Sequence, residues 1–267
     1  PIDAVGVTCS WRTAGSGGAV PAVLLHGLLG SRMAWEPQLA ALSDDRTVLA
    51  WDAPGYGSAA ALTSATFGAY ADAVARCADE AGFDRFHLVG LSFGGMIAQH
   101  AALRHADRLV SLTLLSSSPK FGFDGVTTAE SWRAARLAPL DAGRRPIDFA
   151  PDVLRAISGP GISPDAIASE LRAAELVTVA GLRTAIDVLV THDTCDALAR
   201  IHLPTLCIVG DADAETPVAY SRFLADHIPD ARLVVVPRAG HLVHVEAPDE
   251  VNRLLAGHFA SCEAAHG

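Results

Sequence analysis

Basic side chains are scarce in this sequence. Of 267 residues, 20 are Lys or Arg and 30 are Asp or Glu, a formal net charge of −10, and Lys120 is the one lysine. Phosphate binding draws its affinity from a basic surface, so nucleic acid is excluded as the main partner. Long apolar runs are also missing. No apolar run reaches the roughly 18 residues of a membrane helix, so no membrane partner is expected. Cysteines are few and unpaired in pattern. The five, at positions 9, 77, 195, 207 and 262, include no Cys-x-x-Cys, which reads as reduced thiols rather than a disulfide or zinc framework. The start, Pro1-Ile2-Asp3, lacks a basic region followed by an apolar stretch, so no secretory signal is expected and the cytoplasm is the expected location.

Half of the residues are hydrophobic and 19% are charged, enough to bury a large core and too apolar for a disordered chain. Short runs rich in Val and Leu recur at 22–25, 47–51, 86–89, 109–115, 205–209 and 233–236. Such runs fit strands covered on both faces of a parallel sheet. Helical spacing lies between them. Trp35, Leu39 and Leu42 share a face after Ser31, and Tyr70, Val74, Cys77 and Ala81 do so after Thr66. Met96, Ile97, Ala101 and Leu103 continue the pattern, and Val251, Leu254, Leu255 and Phe259 form the last stripe. The alternation predicts an α/β fold built on an open, mostly parallel sheet flanked by helices.

That rhythm stops between Lys120 and Arg200, where Pro139, Pro146, Pro151, Pro160 and Pro164 interrupt helical patterns with no clear strand. The expected organisation is a core of residues 1–119 and 201–267 with a helical cap at 120–200. The cap is expected over the sheet's C-terminal edge, where open α/β sheets bind ligands.

The most informative segment is Gly90-Leu91-Ser92-Phe93-Gly94, preceded by a strand pattern and followed by a helical one. A serine on a sharp strand-to-helix turn has a strained backbone, and glycines are needed two residues to either side for steric reasons. The turn lifts the hydroxyl above the sheet, and the helix N-terminus faces any oxyanion formed there. A serine needs a base, itself oriented by a third group. The segment 210–217 supplies Asp211, Asp213 and Glu215 after one strand pattern, and Gly240-His241 follows the next. Loops at the C-terminal ends of parallel strands share one sheet edge, so serine, acid and histidine can converge.

Together, His26-Gly27, Asp52-Ala53-Pro54-Gly55-Tyr56-Gly57-Ser58, Gly-Leu-Ser-Phe-Gly-Gly, Gly-x-x-Asp-x-x-Thr-Pro and Gly-His resemble the α/β-hydrolase superfamily from about Val20 to Phe259. Within it the chain is similar to small bacterial esterases and lactonases, including 3-oxoadipate enol-lactonases. That narrower likeness rests on the Ser92 region, Leu203-Pro204-Thr205-Leu206 and Val245-Glu246-Ala247-Pro248. The resemblance implies the α/β-hydrolase fold, Ser92 as nucleophile, His241 as base and then acid, and Asp213 as the orienting carboxylate, with Asp211 its rival. It implies oxyanion donors at the backbone N–H groups of Leu28 and Phe93, a bracing role for His26, a small ester or lactone as the partner, and neither cofactor nor metal.

Candidate pocket residues are Phe121, Phe123, Trp132, Leu137, Leu140 and Leu242. Arg133, Arg136 and Arg183 are candidates to pair with a substrate carboxylate. Asp211 and Glu215 are expected as solvated loop carboxylates, and His244 as a loop residue that binds no metal. His100 and His105 are expected to be exposed or to cap the helix after Ser92. The alternatives are a carbon–carbon hydrolase of ring-cleavage products, whose usual Asn before the serine is Leu91 here, a haloperoxidase side activity of the same triad, and a non-catalytic small-molecule receptor. A haloalkane dehalogenase would have Asp at position 92.

Overall fold

The computed structural model describes residues 2–5 and 8–265, with side chains from residue 8 onward; Pro1, where the reading for a leader begins, lies outside them. Among the described residues the strands are β1 (Ile2–Val5), β2 (Ser10–Ala14), β3 (Ala19–Leu25), β4 (Arg46–Asp52), β5 (Phe86–Leu91), β6 (Leu109–Leu115), β7 (Thr205–Gly210) and β8 (Ala231–Val236). They form one sheet in the order β1-β2-β4-β3-β5-β6-β7-β8. The pairs β1/β2 and β2/β4 are antiparallel, and every pair from β4 to β8 is parallel. The six apolar runs in the sequence coincide with β3 to β8. β1 and β2 carry no such run: β2 reads Ser-Trp-Arg-Thr-Ala at the antiparallel side of the sheet, where polar and apolar residues alternate.

The helices are α1 (Glu36–Leu42), α2 (Phe67–Glu80), α3 (Phe93–Arg104), α4 (Ala129–Asp141), α5 (Pro146–Ile157), α6 (Pro164–Ala174), α7 (Val179–Leu189), α8 (Val218–His227), α9 (Val243–Glu246) and α10 (Pro248–Ala264). Side chains of β3 alternate between two buried clusters, as a period of two requires. Val23 and Leu25 join Phe67, Tyr70, Ile97 and Leu224 of α2, α3 and α8. Ala22 and Leu24 join Leu39 of α1 and Val251, Leu255 and Phe259 of α10. β5, β6 and β7 are buried along their whole length. The fold is α/β, a mostly parallel sheet flanked by helices.

Between β6 and β7 the chain forms the helical cap, α4 to α7. Ser163 and Thr178 cap α6 and α7 with side-chain oxygens, each such cap contributing about 1 kcal/mol. Pro146 and Pro164 occupy the first turn of α5 and α6, where a missing N–H costs nothing. Ala150 and Leu154 of α5 and Ala166 and Ala174 of α6 bury against Leu242 and Val245, fastening the cap to the loop that carries His241. Among the described residues no helix is long and apolar enough to cross a membrane.

Candidate active site

Ser92 occupies the turn between β5 and α3 with φ 52° and ψ −114°, a conformation that costs a non-glycine residue roughly 1–3 kcal/mol. Its surroundings hold it there. The Ser92 N–H donates to the Leu115 carbonyl at 2.9 Å, and the Ser92 carbonyl accepts from Met96 N–H at 3.0 Å and the Ser117 hydroxyl at 3.1 Å. A Cβ at Gly90 would lie 2.3 Å from the Gly94 carbonyl oxygen, and one at Gly94 would lie 2.2 Å from that of Leu25. Both flanking glycines are therefore obligatory, for the steric reason the motif suggests.

His241 and Asp213 lie on the loops after β8 and β7 and are 4% and 5% exposed. His241 Nδ1 is 3.0 Å from Oδ2 and 3.1 Å from Oδ1 of Asp213. The carboxylate is further fixed by the backbone N–H groups of Glu215 and Thr216, at 3.0 and 2.9 Å, and by the Thr216 hydroxyl at 2.9 Å. Burial alone would lower the pKa of His241. The Asp213 charge and hydrogen bond, helped by the charges of Glu215 and Glu246, outweigh it and hold the ring above the ordinary imidazole range. Asp213 is in turn pushed up by burial but held below the usual carboxylate range by His241 and Thr216. Asp211, the rival acid, is exposed and accepts from the Arg238 backbone N–H at 2.7 Å.

Glu246, unassigned from sequence, braces the histidine loop. One carboxylate oxygen accepts from Gly159 N–H at 2.7 Å and Gly240 N–H at 2.9 Å, and the other from Leu242 N–H at 3.0 Å. The His241 N–H donates to the Ile157 carbonyl at 2.9 Å. The backbone on both sides of His241 is thus tied to the end of α5 in the cap. A lone Glu five residues after a His carries no local signal for this, because the partners are backbone groups.

His26 orients the peptide that ends in the Leu28 N–H. The Ala53 N–H can only donate, so His26 Nε2, at 2.9 Å, is the acceptor and Nδ1 carries the proton. Nδ1 then donates to the Gly27 carbonyl at 2.8 Å, which also accepts from Gly30 N–H at 3.0 Å. Burial keeps the ring neutral by lowering its pKa. In a planar trans peptide the N–H opposes the C=O, so fixing the Gly27 carbonyl fixes the direction of Leu28 N–H. Asp52 pins the following turn by accepting from the Arg32 N–H at 2.9 Å, from its guanidinium, and from the Ser10 hydroxyl at 2.6 Å. Phe93 begins α3, and the first N–H groups of a helix have no partner within it.

Ser92, His241, Gly27 and Leu28 line one cavity beneath the cap. α5 presents Phe149, Val153 and Ile157 to it, and α7 presents Leu182, Ile186 and Leu189, one stripe per helix at helical spacing. Of the six residues expected from sequence, Trp132 and Leu242 are in the wall and four are placed elsewhere. Phe121 packs edge-on against Trp132 with ring centres 5.4 Å apart. Phe123 packs on Tyr220 and Phe223 of α8, at 5.1 and 4.8 Å. Leu137 and Leu140 are buried in a cluster that includes Leu182, Ile186 and Leu189 of α7, the helix α4 packs on, while α4 gives the cavity Trp132 and Arg136.

The arginines also need correction. Arg133 pairs with Asp187, and Arg183 with Asp141 at 2.7 Å, both partly exposed. Arg136 does line the cavity, but its guanidinium lies 5.2 Å over the Trp132 ring and binds Glu215 at 2.8 Å. Glu215 is exposed, as expected of a loop carboxylate, and also pairs with Arg136 at the cavity wall. His244 sits in α9, fully buried and 4.8 Å from the Trp35 ring, instead of in a loop. His105 caps α3 and binds Asp72 at 2.8 Å, and His100 stacks on Phe67 at 4.6 Å.

A model of the alpha/beta hydrolase family matches residues 22–254. The chain is 33% identical over 217 residues to the pimeloyl-[acyl-carrier protein] methyl ester esterase of Chromobacterium violaceum, covering 78% of this chain and 82% of that one. It is 28% identical over 246 residues to 3-oxoadipate enol-lactonase 1 of Acinetobacter baylyi, covering 91% and 90%. Among solved structures, a thermophilic esterase from Thermogutta terrifontis superposes with a TM-score of 0.84 at 25% identity, covering 98% of each chain. With the family model spanning β4 to β8, the cap and the loops of Ser92, Asp213 and His241, the chain belongs to the alpha/beta hydrolase family.

Proposed function

We propose that the protein is a serine hydrolase that cleaves a carboxylic ester or lactone through Ser92, His241 and Asp213. The carrying observation is that the strained Ser92 and the imidazole of His241 face one cavity, with His241 Nδ1 already bound to Asp213. That bond leaves Nε2 as the base. Nε2 takes the Ser92 proton as Oγ attacks the carbonyl carbon. The tetrahedral oxyanion accepts from the N–H groups of Leu28 and Phe93. The imidazolium then protonates the departing alkoxide, the ester C–O bond breaks and an acyl-enzyme remains. Water, deprotonated by His241, attacks the acyl carbon, and the acid leaves as Ser92 recovers its proton. In a lactone the alcohol stays tethered to the acid.

The esterase and enol-lactonase among the relatives support this bond type. The apolar stripes of α5 and α7 support a neutral, apolar acyl chain, and the engagement of Arg136 by Glu215 argues against an acidic one. No step calls for a cofactor. Free thiols at all five cysteines fit a reducing compartment, the cytoplasm. A panel of p-nitrophenyl esters and lactones tests the reading. The wild-type chain turns over at least one of them, and Ser92→Ala loses roughly a thousandfold or more of that rate while remaining folded. Equal turnover by the variant would overturn it.

A further inference from the structure

One part of the cavity wall does not match the apolar rest. Glu170, from the middle of α6, lines the cavity and is 3% exposed. Its Oε1 is sealed from solvent and has no hydrogen-bond partner among the described residues. It lies 3.3 Å from Nε2 of His244, and neither ring nitrogen of that fully buried histidine has a hydrogen bond. Trp35 covers the ring of His244, and Ala34 of the same turn reaches the cavity. Buried carboxylates and imidazoles are costly unless hydrogen-bonded, and an under-satisfied pair in a native core calls for an explanation. Packing supplies none. A leucine at position 170 would complete the apolar wall that α5 and α7 begin.

We propose that Glu170, backed by His244, is a polar subsite that accepts a hydrogen bond from a hydroxyl or amine group carried on the acyl chain of the substrate. This rests on the reading of the cavity as the ester site and adds the chemical class of the substrate: an apolar chain with a donor at its far end. A pocket built around an unpaired acceptor rewards a ligand that supplies the donor and rejects one that lacks it, since the acceptor is then left buried and unpaired. Arg136 and Glu215 do not compete for this role, because they satisfy each other.

Calorimetric titration of the Ser92→Ala variant with methyl esters of increasing chain length, and with their ω-hydroxy counterparts, separates binding from chemistry. Continued ester cleavage by that variant would count against the serine mechanism and not against the subsite. At the chain length that reaches Glu170, the hydroxy ester binds about tenfold tighter or more than the plain ester. Adding Glu170→Leu abolishes the preference while the plain ester binds at least as well, which also reports an intact fold. Adding Glu170→Gln, which keeps a carbonyl acceptor and the shape, leaves part of the preference. Equal affinity for the two ester types at every length, or a preference unchanged in both variants, would overturn the subsite.

Discussion

His241 Nδ1 lies 3.0 Å from Asp213 Oδ2, and both groups are nearly sealed from solvent. Because Asp213 spends its remaining acceptor capacity on Glu215 and Thr216, it has one orientation and imposes one tautomer on the imidazole. Asp213→Asn therefore lowers kcat by roughly 10⁴-fold with little change in KM. Asp211→Asn, on the exposed rival, stays within about threefold of wild type. Steady-state kinetics on one ester compares the two, and the opposite ranking would reassign the acid.

The pH profile follows from the raised pKa of His241. Only the neutral ring can take the serine proton, so kcat/KM rises with pH through that pKa, and the midpoint of its acid limb lies above about 6.5. Glu246 contributes to the shift and holds the backbone on both sides of the ring. Glu246→Gln moves the limb to lower pH and costs roughly tenfold to a hundredfold in kcat/KM through misplacement of the base. A loss of rate with an unmoved limb would assign Glu246 a purely structural part.

His26→Ala removes the group that holds the Gly27–Leu28 peptide and orphans the Ala53 N–H. The expected result is a fall in kcat of up to about a hundred- to a thousandfold with KM nearly unchanged, since the lost donor acts on the oxyanion and not on the bound ester. The unpaired N–H costs about 1–3 kcal/mol of stability. Parallel kinetics and thermal melts measure both effects.

Stability should fall in mild acid. Burial, aided by His100, holds His192 at about 3 even though its Nε2 donates to the Ser118 carbonyl at 2.9 Å. The unfolded ring titrates near 6.5, so between these values the unfolded chain binds a proton that the folded chain refuses. The contribution is fully present above about 6.5 and is lost as pH falls toward about 3. Melting temperatures between neutral pH and pH 5 should decline, and His192→Gln should decline less steeply. A wild-type profile that is flat over this range would contradict the argument.

The sheet core and the Ser92 turn were legible because each carries its own local constraint. β3 to β8 are covered on both faces and so read as continuous apolar runs. Gly90 and Gly94 are forced by backbone contacts under 2.5 Å. β2 was not legible, since one strand of mixed residues gives no run. The cavity wall was read poorly for a different reason. Phe121, Phe123, Leu137 and Leu140 are apolar like the true lining, and only the rotation of α4 and the position of α8 decide which apolar side chains meet the cavity. Glu246 acts through backbone groups distant in sequence, such as Gly159, which no spacing within one loop reveals, and the bracing role of His26 came from the family resemblance alone.

The central claim is that Ser92 is an activated nucleophile. Incubation with a fluorophosphonate, followed by peptide mapping by mass spectrometry, tests it without knowledge of the substrate. One covalent adduct is expected, on Ser92, absent in Ser92→Ala and strongly slowed in Asp213→Asn. A folded wild-type chain that fails to react, or that reacts at another residue and equally in the Ser92 variant, would contradict it.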